Sequence, residues 1–189
     1  MRLFTAITIP DHVRGELAAI QPQHPEIHLT PESQLHLTMR FIGDCDKNKT
    51  RRISQVLTHV SFRPFDLTLQ GTGTFRSEET TSILWAGVRY NDVLGELYES
   101  IQQELYRAKV APENRTFHPH VTLGRVRRGH RGKPAGEEDP PLTSVLDDFF
   151  EGPAASFETT FHVDRFHLYH SRLHSGGAIH HLLQEYLAY

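Results

Sequence analysis

Two stretches far apart in the chain repeat one pattern: His36-Leu37-Thr38-Met39 and His120-Val121-Thr122-Leu123. Each sets an imidazole and a hydroxyl two residues apart in an apolar alternating run. On a β-strand such side chains share a face, so each stretch reads as half of a site that two strands complete across one cleft. The tripeptide alone is weak, because a chain with 14 histidines holds about one His-x-Thr by chance. Three occur here. His28-Leu29-Thr30 is set aside, because Pro31 follows at once and stops the strand that would present it.

The pattern sits in a chain of 189 residues, 38% hydrophobic, enough to bury one sizeable core. One two-lobed domain over residues 1–189 is expected. A net charge of −3 and a pI near 6.5 carry no global nucleic-acid signature, so an anionic ligand must be met by a local basic patch. The single cysteine, Cys45, excludes an internal disulfide and a thiolate metal cluster and points to a reducing compartment. No run of roughly 18 apolar residues offers a membrane span. The first apolar stretch ends at Pro10-Asp11, too soon for a signal-peptide core. A cytoplasmic monomer without membrane attachment is the expectation. His162, His167, His170, His174, His180 and His181 lack acidic or cysteine partners at ligand spacing, so neither a metal nor another cofactor is expected.

In chain order, residues 3–9 read as a strand and 11–20 as a helix, with a brief strand at 26–29. Residues 34–42 alternate, which puts His36, Thr38 and Arg40 on one side and Leu35, Leu37, Met39 and Phe41 on the other. A helix over 47–60 follows, then two antiparallel strands at 65–75 and 82–90 joined by a turn, and a long helix over 92–109. The second motif strand runs through 120–126. Residues 127–141, rich in Gly, Pro and charge, read as a mobile loop carrying Arg127, Arg128, Arg131 and Lys133. A short helix at 142–150, one long strand at 157–169, a turn at 175–177 and a last strand at 178–189 complete the chain. Strands interleaved with helices and hairpins, without a βαβ series, argue an α+β fold with mainly antiparallel sheets.

Across the whole chain the motifs fall in an order that resembles a known family. Arg2-Leu3-Phe4 with Ala6-Ile7, then His36-Leu37-Thr38, Leu84-Trp85-Ala86-Gly87-Val88, Phe117-His118-Pro119-His120-Val121-Thr122-Leu123, and Leu168-Tyr169-His170-Ser171 resemble the RNA 2′,3′-cyclic phosphodiesterases of the LigT/ThpR type, within the two-histidine phosphoesterase superfamily. The resemblance implies two pseudo-symmetric α+β lobes, each with a mainly antiparallel sheet and flanking helices, around a central cleft. It also implies an enzyme that opens RNA 2′,3′-cyclic phosphate ends or cyclic nucleotides, with 2′-5′ RNA ligation in reverse. The alternative is a non-catalytic module that binds RNA ends or nucleotides.

Histidine suits such chemistry, because its ordinary pKa of about 6.5 keeps neutral and charged forms together near pH 7. By resemblance His120 is the general base and His36 the general acid, although the near-symmetry of the motifs leaves the reverse open. Thr38 and Thr122 would bind the phosphate oxygens. Arg125 would clamp them, but strict alternation from His120 puts it on the opposite face, so Gly124 must host a bulge. Arg40 ranks behind Arg125. Phe4 and Phe41 are candidate base-stacking rings, Trp85 is expected in the core, and no role is carried to His118. Thr8 stands where many relatives carry an acid, a departure expected to matter little.

Overall fold

In the computed structural model, residues 1–76, 81–127, 140–174 and 177–189 are described. The expected loop at 127–141 and the turns around 76–81 and 175–177 fall largely outside them. The elements run β1 Arg2–Thr8, α1 Asp11–Ala19, β2 Ile27–Leu29, β3 His36–Asp44, α2 Lys47–Leu57, β4 Phe65–Arg76, β5 Thr81–Val88, α3 Asp92–Arg107, β6 His120–Arg127, α4 Leu142–Glu151, β7 Glu158–Val163, β8 Arg165–His174 and β9 Gly177–Leu187.

All strand pairs are antiparallel. The order across the sheet is β7-β4-β5-β6-β3-β1-β8-β9, with β2 also on β6. The order is symmetric about the β6/β3 junction: β3, β1, β8 and β9 form one half, and β6, β5, β4 and β7 the other. The halves are joined by one register pair, Leu37 with Val121. Past it β3 leaves β6, and β2 takes over that edge of β6, pairing Leu29 with Gly124. An α+β architecture of two antiparallel half-sheets is therefore what the chain adopts.

Period-2 patterning sends Leu3, Thr5 and Ile7 of β1 inward, together with Leu37 and Met39 of β3 and Val121 and Leu123 of β6. Helices cover that face with stripes at helical spacing: Val13 and Leu17 from α1, Ile53 and Leu57 from α2, and Leu94, Leu97, Ile101 and Leu105 from α3. Side-chain caps start two of them, Asp46 accepting from Lys49 N–H and Asn91 from Leu94 N–H. The opposite face, which carries the partly exposed His36, Thr38, His120 and Thr122, is the cleft side.

One expectation fails instructively. The single strand read at 157–169 is two strands that break at Asp164 and belong to opposite halves: β7 pairs with β4, and β8 pairs with β1. The buried residues change parity there, from Phe161 and Val163 to Phe166 and Leu168. Asp164 itself is held by a two-pronged pairing with the Arg165 guanidinium.

Candidate active site at the junction of the two half-sheets

Leu37 and Val121 are both fully buried, so their flanking residues face the cleft. Antiparallel register at this pair sets His36 beside Thr122 and Thr38 beside His120. All four are partly exposed. The two half-sites thus meet in a compact diamond, with the buried pair beneath its centre.

The imidazoles are oriented in the same way. His36 donates Nδ1–H to the Gln34 carbonyl at 2.6 Å, and His120 donates Nδ1–H to the His118 carbonyl at 2.7 Å. A carbonyl can only accept, so each neutral ring carries its hydrogen on Nδ1 and keeps the Nε2 lone pair for other work. His118 therefore contributes a backbone oxygen, a role that its side chain does not reveal.

Each strand then bulges just after its motif. On β3, Ala6 faces Thr38 but Thr5 faces Arg40, leaving Met39 extra. On β6, Trp85 faces Thr122 but Leu84 faces Gly124, leaving Leu123 extra. A bulge reverses the alternation. Arg125 accordingly stands exposed on the cleft side, followed by buried Val126, and its charge is felt by both histidines.

On β3 the same reversal overturns the expected placement of Arg40 with His36. Arg40 is only 8% exposed. It turns to the helical side and donates to Gln102 Oε1 at 2.9 Å, Glu113 Oε2 at 2.7 Å and the Ala111 carbonyl at 2.7 Å. Phe41 takes the cleft position instead, 65% exposed and 6.0 Å from the Phe4 ring. Phe4 itself is buried, so it has no open face for a base. It lies 5.1 Å from His36 and stacks on Tyr169 at 5.3 Å.

Three residues beside the motif histidines are not assigned to the cleft by the sequence. His180, from β9, stands edge-on to His36 at 5.2 Å. Phe75 stands edge-on to His120 at 4.9 Å. Trp85 is half-buried on the cleft side, 6.5 Å from His120, not in the core as expected. Its indole lies over Gly73, where a Cβ would overlap the ring. Alternation in 82–90 already sets Trp85 apart from Leu84 and Ala86. His180 Nδ1 and Trp85 Nε1 are buried without a hydrogen-bond partner among the described residues, one beside each motif histidine.

Thr8 pairs across to His36, and its hydroxyl shares hydrogen bonds with His167 Nδ1 at 3.0 Å and the Tyr169 hydroxyl at 2.7 Å. It therefore anchors part of the cleft floor, more than its sequence position suggests. The third His-x-Thr copy also lies near, with His28 the register partner of Arg125.

Burial sets the electrostatics. It is the main cause that lowers the His36 pKa to about 4, helped by His180, His120 and Arg125 and opposed by the Gln34 carbonyl. Burial also lowers that of His120, with His118 and Arg125 adding to it against the His118 carbonyl bond. Both rings rest neutral near pH 7. Among the described residues no three of His, Cys, Asp or Glu stand together to hold a metal, and no helix is long and apolar enough to cross a membrane.

Comparison with known proteins gives the family and the fold. Residues 9–174 match the profile of the 2′-5′ RNA ligase superfamily. A protein of Methanocaldococcus jannaschii named RNA 2′,3′-cyclic phosphodiesterase is 30% identical over 188 residues, covering 98% of this chain and 100% of that one. A Thermotoga maritima protein of the same name is 29% identical, covering 98% and 94%. Among solved structures, Escherichia coli LigT complexed with 3′-AMP shares the fold at a TM-score of 0.77, with 24% identity over 99% of this chain and 97% of that one. With the profile spanning both half-sites, the chain belongs to the 2′-5′ RNA ligase superfamily.

Proposed function

We propose that this chain hydrolyses RNA 2′,3′-cyclic phosphate ends to 2′-phosphomonoesters, using His36 and His120 as an acid–base pair without a metal. Relatives matched over nearly their whole length carry the name RNA 2′,3′-cyclic phosphodiesterase, and the enzyme class is assigned on them. The observation that supports the mechanism is the pairing of Leu37 with Val121, which sets the two motif strands side by side with His36 next to Thr122 and Thr38 next to His120.

The reaction needs a water to lose a proton as it attacks phosphorus, while the departing 3′ oxygen gains one. His120 takes the first proton on Nε2, and His36 gives the second from Nε2, so the P–O3′ bond breaks as the new P–O bond forms. Thr38, Thr122 and Arg125 meet the charge that grows on the non-bridging oxygens, a contribution of about 3 kcal/mol for a well-placed donor. The low resting pKa of His36 leaves the ring without a proton to give near pH 7 in the empty site. In this account the phosphodiester's negative charge loads its proton on binding, so protonation and substrate arrive together. A 5′ hydroxyl in the place of water gives a 2′-5′ linkage by the same two transfers.

The test is incubation of the protein with an oligonucleotide ending in a 2′,3′-cyclic phosphate, in excess EDTA. The expected product is the 2′-monophosphate. Loss of activity in EDTA would put a metal in the mechanism, and salt-sensitive binding with unchanged substrate would leave only an RNA-end binding module.

A further inference from the structure

The half-sheets carry one half-site each, yet a single register pair joins β3 to β6. One pair sets the strands side by side but leaves their relative angle to other contacts. Two polar ties flank it, and both start at the bulges. On one side the carbonyl of Leu123, the bulged residue of β6, accepts from Thr30 N–H at 2.9 Å and from Gln21 Nε2 at 2.8 Å. On the other side Arg40, turned over by the bulge at Met39, crosses beneath the sheet. Its three contacts are with Gln102 of α3 and with Ala111 and Glu113 of the segment leading into β6. That segment ends at His118, whose carbonyl orients the His120 ring.

We propose that Arg40 is a positioning residue: a buried strut that fixes the His120 half-site against the His36 half-site from behind the cleft. It touches no substrate. Its guanidinium grips a side-chain amide, a carboxylate and a backbone carbonyl at once, a planar fork that lysine cannot reproduce. The strand that carries His36 and Thr38 is thereby fastened to the chain that delivers His120. This inference rests on the reading of the two histidines as the acid–base pair. Misplacing one member of such a pair by about 1 Å costs on the order of 100-fold in rate.

The experiment compares Arg40→Met, Arg40→Lys, Glu113→Gln and Arg40→Met/Glu113→Gln with the parent on 2′,3′-cyclic AMP. It reads kcat, KM and inhibition by 2′-AMP at a temperature where circular dichroism shows each variant folded. Arg40→Met is expected to lower kcat about 10- to 100-fold and to raise KM and the 2′-AMP constant by a smaller factor, because a hydrogen bond to phosphate tolerates a displacement that an aligned proton transfer does not. Arg40→Lys recovers part of kcat. The double variant loses less than the two single losses combined. A purely structural residue would lower thermal stability and leave kcat per folded molecule unchanged. A kcat within about twofold of the parent in folded Arg40→Met overturns the proposal. Should Arg40→Met not fold, the same limit applied to both Arg40→Lys and Glu113→Gln overturns it. Full activity in His36→Ala and His120→Ala would instead break the underlying acid–base reading, an outcome separate from anything the Arg40 variants show.

Discussion

Leu37 and Val121, each fully buried, are the register partners that join β3 to β6, and the two motif histidines sit one residue before each of them. The two motif histidines therefore stand along the line where the half-sheets meet, which is where the proposed mechanism needs its acid and its base.

Arg125 owes its place to the bulge at Leu123, and its charge reaches both histidines. Arg125→Ala is expected to lower kcat/KM on a cyclic nucleotide by about 100-fold and to flatten the dependence on salt. Arg125→Lys should recover only part of it, since a point charge does not replace the bidentate fork. Steady-state kinetics at two ionic strengths checks this.

Trp85 is the chain's one tryptophan, so its fluorescence reports on the His120 side of the cleft without labels. Gly73→Ala forces the indole off its present seat. The expected outcome is a shifted emission maximum together with reduced activity. In the parent protein, emission should fall as His120 gains its proton, with a midpoint below 6.5, because burial lowers the pKa of that ring.

Acid should destabilise the fold through His36. Its folded pKa of about 4 lies below the unfolded value of 6.5, so between those values the unfolded chain binds the extra proton. Stability is fully present above about pH 6.5 and is lost as pH falls towards 4, by up to about 3 kcal/mol from this residue. His120, His167 and His180 are shifted in the same direction and add to the loss. Urea unfolding at pH 7.5 and pH 5 measures the total, and His36→Gln should remove the His36 share of the difference.

Much of this was legible in the residues, for reasons that differ from part to part. Alternation around His36 and His120 located both strands and the inward Leu37 and Val121, because a half-buried strand writes its burial with period 2. The same rule misplaced Arg40, since a bulge adds one residue and leaves no local mark in Met39-Arg40-Phe41. The need for Arg125 to face a phosphate was enough to infer a bulge or bend at Gly124, and the strand makes it one residue earlier, at Leu123. The break at Asp164 was written in the shift of apolar residues from Phe161 and Val163 to Phe166 and Leu168, but a change of partner strand is invisible to periodicity. His180 reaches His36 through two strand pairings, β1 with β8 and β8 with β9, and no local pattern encodes such a contact.

The proposed mechanism divides the labour between two imidazoles, and a substrate with sulfur in place of the 3′ bridging oxygen tests that division most directly. A thiolate leaves without needing a proton, so the general acid becomes dispensable and the general base does not. His36→Ala and His120→Ala should each lose about 100-fold or more on the ordinary cyclic phosphate. On the 3′-thio substrate His36→Ala should return to within about tenfold of the parent, while His120→Ala stays low. Rescue of His120→Ala instead, or full activity of either variant on the ordinary substrate, would contradict it.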